Sequence, residues 1–209
     1  MGAAKSGESH KALIVVDLQN DFCPGGALAV PDGHLIVPLV NGLIERFDHV
    51  ILTQDWHPGD HHSFASSHEG KAPFESTTLH YGEQTLWPDH CVQETEGAGF
   101  HEDLMWGKAE LIIRKGFRRH IDSYSAFFEN DRTTPTGLNG YLKERGLNDL
   151  TFVGLATDFC VGFSALDAAR LGFKATVRTD ACRAIDLNGS LAEAERQMRE
   201  AGVKLATAA

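Results

Sequence analysis

Five residues stand out by type and by place: Asp17 in "VVDLQNDF", Asp55 and His57 in "TQDWHPGDHH", Lys115 in "LIIRKGF" and Cys160 in "GLATDFCVGF". A carboxylate can move a proton, a thiol can attack an electrophilic carbon, and a nearby ammonium favours the charged forms of both. Brought together, acid, lysine and thiol make an activated nucleophile with its own proton shuttle. Asp55 and His57 lie two apart, so on extended chain they point the same way and can offer an oxygen and a nitrogen to one cation. Each also has a plainer reading. An Asp after a strand is most often a turn residue, a lone Lys a snorkelling one, and a lone Cys a small core residue. That last reading is applied to Cys23, Cys91 and Cys182.

The elements that must position these residues are legible as apolar runs alternating with helical patterns. "KALIVVDLQ" is a continuous apolar run of the kind a strand covered on both faces requires. Further strands are predicted at "HVILTQDW", "AELIIRKG", "DLTFVGLAT", "FKATVRTD" and, weakly, "VKLATA". Helices are predicted at "GLNGYLKERG", "DFCVGFSALDAARLG" and "SLAEAERQMREAG". Another is predicted at "HLIVPLVNGLIERF", with Leu35, Leu39, Leu43 and Phe47 on one row, Ile36, Val40 and Ile44 on the next, and Pro38 in its first turn. Strand alternating with helix implies an α/β fold: an open parallel, Rossmann-like sheet of about six strands with helices on both faces. Such sheets bind ligands outside the carboxyl ends of their strands. Asp17, Asp55, His57, Lys115 and Cys160 all emerge there, with Lys115 close to Cys160 if the third and fourth strands are neighbours. In the first turn of a helix, the dipole and the free amides would favour Cys160 as thiolate. The apolar setting of Asp17 demands a partner for its charge. The long stretch Pro58 to Lys108 is an excursion of a length that is usually functional or disordered.

Composition narrows the partners. The 209 residues are 42% hydrophobic, enough for one buried core, and residues 11–209 are expected to form a single domain behind a disordered tail at 1–10. A formal charge of −10 repels phosphate backbones and anionic lipid, so neither nucleic acid nor a membrane surface is expected as a partner. No run approaches the roughly 18 apolar residues of a membrane span. "MGAAKSGESHK" lacks the apolar core of a signal peptide, and the four scattered cysteines suit a reducing compartment, so the expected location is cytoplasmic. Whether the chain forms a homo-oligomer is left open.

Taken in order, "VVDLQNDFCPGGALAV", "TQDWHPGDHHSFAS", "WPDHCVQ", "RKGF…DSYSAFF" and "GLATDFCVGFSALDA" resemble the bacterial nicotinamidases of the isochorismatase-like cysteine hydrolases. The likeness runs from about Lys11 to Ala206. It implies hydrolysis of the small molecule nicotinamide to nicotinate and ammonia, with pyrazinamide as a side substrate. Matching positions imply Asp17, Lys115 and Cys160 as the catalytic triad and Asp55, His57 and His90 as ligands of one divalent metal. His61 corresponds to a position that ligates in some members and not in others; His62 and His68 are read as solvated loop residues. Zinc fits the donors best, and manganese and iron accept the same set. Phe22, Leu28, Trp87 and Tyr124 would wall the ring, whose nitrogen the metal would bind. A cis peptide is implied at Leu155–Ala156. The expected chemistry is acyl transfer: Asp17 deprotonates Cys160, the thiolate attacks the carboxamide, the backbone amides of Ala156 and Cys160 hold the oxyanion, and water hydrolyses the thioester. Two rivals are a relative acting on carbamoyl or ureido amides and a metal-buffering or thiol redox protein; the metal set argues against the first, and the lack of a paired cysteine motif against the second.

Overall fold

A computed structural model describes residues 10–207; of the expected N-terminal tail, positions 1–9 lie outside the described residues. Six strands form one parallel sheet in the order β5-β2-β1-β6-β7-β8. They are β1 (Lys11–Val16), β2 (His49–Asp55), β5 (Leu111–Lys115), β6 (Asp149–Leu155), β7 (Lys174–Arg183) and β8 (Lys204–Ala206). Alternate residues of β1 feed the two faces: Ala12, Ile14 and Val16 enter one core, Leu13 and Val15 the other. That two-sided burial is why the strand reads as an unbroken apolar run.

One face is covered by α2 (Leu138–Glu144), α3 (Gly162–Arg170) and α4 (Ser190–Glu200), through residues such as Leu142, Ala165 and Met198. The other is covered by α1 (Val37–Ile44) together with Trp87, Cys91, Ala98 and Leu104 of the excursion. The helix around Pro38 is shorter than its sequence pattern, because Gly33–Ile36 is a 3-10 turn and only then does α1 begin, with Pro38 in its first turn as expected. The apolar row assigned to the core also divides. Ile36, Val40, Leu43 and Ile44 are buried, while Leu35 and Leu39 face out at 55% and 37% exposure. A 100° stripe holds only one of the two adjacent rows fully.

The excursion is ordered. It carries an antiparallel hairpin that the sequence reading did not place, β3 (Ser76–Leu79) with β4 (Gly82–Thr85), and it returns Trp87 and His90 to the sheet's carboxyl edge. Among the described residues no helix is long and apolar enough to cross a membrane.

Gly154 lies where the β6–β7 register shifts, at φ +117°, and a Cβ there would sit 2.0 Å from the Val16 carbonyl oxygen. Backbone must move for any side chain to fit, just before Asp17 and Ala156. Gly154→Ala is therefore expected to lower unfolding stability by at least ~3 kcal/mol in urea titration. A loss below ~1 kcal/mol would show that the β1–β6 contact is pliant.

Candidate active site

The site lies at the carboxyl ends of β5, β2, β1 and β6, the crevice where open α/β sheets bind ligands. Asp17 is the first residue after β1, at φ +45°, a conformation that Asp tolerates better than most. It is fully buried. Thr53 Oγ1 donates to its Oδ1 at 2.6 Å, and Lys115 Nζ lies 2.8 Å from Oδ2. That second contact is a buried ion pair, and it meets the demand for a partner.

Lys115 closes β5 and is also fully buried. Its ammonium reaches Asp17, Asp55, the Ser123 carbonyl at 2.9 Å and Cys160 Sγ at 3.4 Å. The sequence argument made this meeting conditional on β5 and β6 being neighbours. They are not, since β2 and β1 lie between them; the long lysine stem crosses the ends of both instead. Burial alone would strip the ammonium of its proton, but Asp17 and Asp55 outweigh it and hold the Lys115 pKa well above its ordinary value.

Cys160 follows β6 in a π-helical turn, Thr157–Val161, which runs into α3 at Gly162. Ala156 caps the turn, and Phe159 and Val161 N–H both donate to its carbonyl. The Leu155–Ala156 peptide is cis, as the resemblance implied. Asp158 locks the turn from outside by accepting from Ile185 and Asp186 N–H and from Ser190 Oγ. Burial pushes the Cys160 thiol well above its usual range; Lys115 pulls it down less than burial and the two carboxylates raise it. Burial beside Asp17 and Asp55 thus opposes the thiolate that the helix start and Lys115 favour. Burial likewise raises Asp17, against the pull of Lys115, which makes it a stronger base toward the thiol.

Asp55 ends β2, and Gln19 braces it by accepting from its N–H and donating to its carbonyl. His57 Nε2 and His90 Nε2 lie 3.6 and 3.8 Å from Asp55 Oδ2. Each ring spends its Nδ1 on a carbonyl, His57 on Gly116 and His90 on Pro88, both at 2.8 Å. These bonds fix the rings and turn both Nε2 atoms inward, as ligating histidines require. Gly116 must be a glycine for this, because a Cβ would sit 2.3 Å from the His57 ring. Burial and the neighbouring His57 lower His90 to about 4. Burial also lowers His57, but Asp55 more than offsets it and the ring ends above its usual value. Burial would raise Asp55, yet Lys115 and His57 hold it below the usual carboxylate range. An ionised carboxylate, a neutral imidazole and a second imidazole that attracts positive charge, with donor atoms within 4.8 Å of one another, fit a divalent cation. His61 is not part of that set. It forms a second group with His57 and Asp122, donating from Nε2 to the Ile121 carbonyl and accepting from Ser63 at Nδ1. His62 and His68 are half-buried and pack on one another in the loop, apart from the pocket.

Above these groups opens a small pocket. Phe22, Leu28, Trp87 and Tyr124 all line it, with Asp55, His90, Ala156 and Cys160 at its base. The sequence reading missed Phe159, Ile185 and Asp122 as further walls. Phe159 stands next to the nucleophile in "TDFC" and Asp122 two residues before Tyr124, so adjacency to expected site residues was the available signal.

A model of the isochorismatase domain matches residues 11–209. The chain belongs to the isochorismatase family. Among relatives of the family, a nicotinamidase of Acinetobacter baylyi is 56% identical over 193 residues, covering 92% of this chain and 90% of that protein. The fold is similar to that of an Acinetobacter baumanii protein described as a nicotinamidase and pyrazinamidase, with a TM-score of 0.94, 57% identity and coverage of 95% and 96% of the two chains. It is also similar to a pyrazinamidase of Pyrococcus horikoshii in complex with zinc, with a TM-score of 0.77, 35% identity and coverage of 96% and 100%.

The raised thiol makes a testable signature. Cys160 is the only one of the four cysteines that lines this pocket, while Cys23, Cys91 and Cys182 are buried elsewhere with thiols also pushed up by burial. Iodoacetamide should label Cys160 first, as read by peptide mass spectrometry. The rate should still be climbing at pH 9.0, the ordinary thiol value. A rate that levels off near neutral pH would mean a resting thiolate.

Proposed function

We propose that this protein hydrolyses nicotinamide to nicotinate and ammonia, through a thioester on Cys160 and with a divalent metal, zinc in the first instance, beside the ring. The observation that carries the reading is one juxtaposition. A thiol that lines an aromatic-walled pocket touches a buried ammonium paired with a buried base, beside a carboxylate and two imidazoles suited to a cation. The names of its relatives point to the same substrate class. The pocket is small and walled mainly by apolar and aromatic side chains, which suits a compact aromatic amide better than a long chain. Pyrazinamide, with the same outline, is the side substrate.

In the mechanism, Asp17 Oδ2 takes the proton from Cys160 Sγ as sulfur attacks the carboxamide carbon. The carbonyl oxygen becomes an oxyanion, received by the backbone N–H groups of Ala156 and Cys160, each worth about 3–4 kcal/mol in comparable sites. Asp17 returns its proton to the amide nitrogen as the C–N bond breaks, and ammonia leaves. Water then adds to the thioester carbon, giving a proton to Asp17. The C–S bond breaks, nicotinate is released, and the thiol regains its proton. Lys115 keeps its proton throughout and balances whichever of Asp17 and Cys160 carries the negative charge. Asp55, His57 and His90 would hold the metal, which supplies Lewis-acid charge for a pyridine nitrogen. Manganese and iron accept the same donors, and His61 is near enough to His57, at 4.4 Å between ring centres, to serve as an accessory residue of that site.

Purified protein should release ammonia from nicotinamide and act far more slowly on benzamide, which keeps the carboxamide but has no ring nitrogen. Cys160→Ala should abolish turnover. Asp17→Asn should lower kcat by roughly 10²–10⁴-fold while nicotinamide still binds. Equal rates on the two amides would remove the ring-nitrogen contact from the account, and an active Cys160→Ala protein would remove the thioester.

A further inference from the structure

Asp122 is a carboxylate that the mechanism leaves unused. It is 3% exposed, lines the pocket, and among the described residues forms no ion pair with a lysine or arginine. It is nonetheless firmly held. Ser123 N–H donates to Oδ1 at 2.7 Å, and Gln84 Nε2 from the β3–β4 hairpin lies 3.0 Å from Oδ2. Gln84 is itself 1% exposed; its Nε2 also reaches Tyr124 OH at 2.8 Å, and its Oε1 accepts from Tyr81 OH and Asn130 Nδ2. The hairpin therefore aims the carboxylate. What it is aimed at are the imidazoles: one Asp122 oxygen lies within 4.8 Å of ligand nitrogens of both His57 and His61.

A buried carboxylate without a cation is costly, and two neutral hydrogen bonds fill only about half of its roughly four acceptor sites. The charge that would offset it is close by. Around a divalent ion held by Asp55, His57 and His90, the charges of Lys115, Asp17 and Asp55 leave one positive charge over. Asp122, with a carboxylate oxygen within 4.8 Å of a His57 ring nitrogen, balances it.

We propose that Asp122, positioned by Gln84 and Ser123, supplies a second negative charge to the metal centre and sets how tightly the ion is held, without being one of its three donors. The proposal rests on the metal reading given above. It also assigns the hairpin a purpose, because the β3–β4 pair lies outside the main sheet and presents Gln84 to Asp122 and Tyr124.

The test is zinc affinity, read by titrating zinc-loaded protein with a chromophoric chelator, so that no turnover is needed. Asp122→Asn should hold zinc at least about 10-fold more weakly, because it removes a negative charge close to the ion at a buried site. Asp122→Ser, which keeps an acceptor for Gln84 but not the charge, should do the same and serves if the asparagine protein does not fold. Asp60→Asn removes an exposed carboxylate of the neighbouring loop, paired with Arg119, and should leave the affinity within ~2-fold. Wild-type affinity in folded Asp122→Asn or Asp122→Ser protein overturns the proposal, as does an equal loss in Asp60→Asn, which would make the effect one of overall charge. Wild-type protein that carries no stoichiometric zinc when purified without chelator overturns the metal reading itself, and the proposal with it.

Discussion

The ammonium of Lys115 is buried between two carboxylates that come from different strands, and the rest of the site is arranged around that contact. Asp17 stands at the end of β1 and Asp55 at the end of β2, and neither could stay ionised there without a shared cation. Lys115 could not stay protonated without them. The interaction is therefore mutual, and it fixes three strand ends relative to one another before any substrate arrives. It also divides the work between the carboxylates. Asp55 is held low and stays an acceptor for positive charge, while burial lifts Asp17 toward the range where it can trade a proton with a thiol.

Around this ionic centre, irregular segments do what regular elements cannot. The excursion between β2 and β5 brings Trp87 and His90 back to the pocket, and its hairpin braces Tyr124 and Asp122 through Gln84. The π-helical turn presents Cys160 at the floor, tied to α4 and the loop after β7 by Asp158. Among the aromatic walls, Trp87, Tyr124 and Phe159 meet one another edge to face, while Phe22 tilts against His90. A parallel sheet supplies the rigid base, and the segments at its carboxyl edge supply the chemistry.

What was legible in the sequence follows from what is local. Asp17, Asp55, Lys115 and Cys160 each close or follow an apolar run, so strand periodicity located them and the carboxyl-end rule placed them together. His90 was reached only through the family resemblance, because nothing in the spacing of Pro58–Lys108 says where that excursion returns. Gln84, Asp122 and Asp158 went unread for the same reason: their partners are dozens of residues away across irregular chain. Gly82 between short β-prone runs was a signal for the hairpin. At Cys160 the helix start was legible, but the burial and the two carboxylates that oppose a thiolate come only with the fold. Around Pro38 the amphipathic pattern was right, although Leu35 and Leu39 border the apolar stripe and face out.

The most direct test of the shared ammonium is a stability cycle on Lys115 and Asp17, measured by denaturant unfolding without metal or substrate. Lys115→Met alone should cost about 3–5 kcal/mol, because it strands two buried carboxylates. Adding Asp17→Asn to the same chain should cost less than the separate losses together, with a coupling of roughly 1–3 kcal/mol. Losses that add to within ~0.5 kcal/mol would mean that the two groups do not depend on one another, and would contradict the account at its centre.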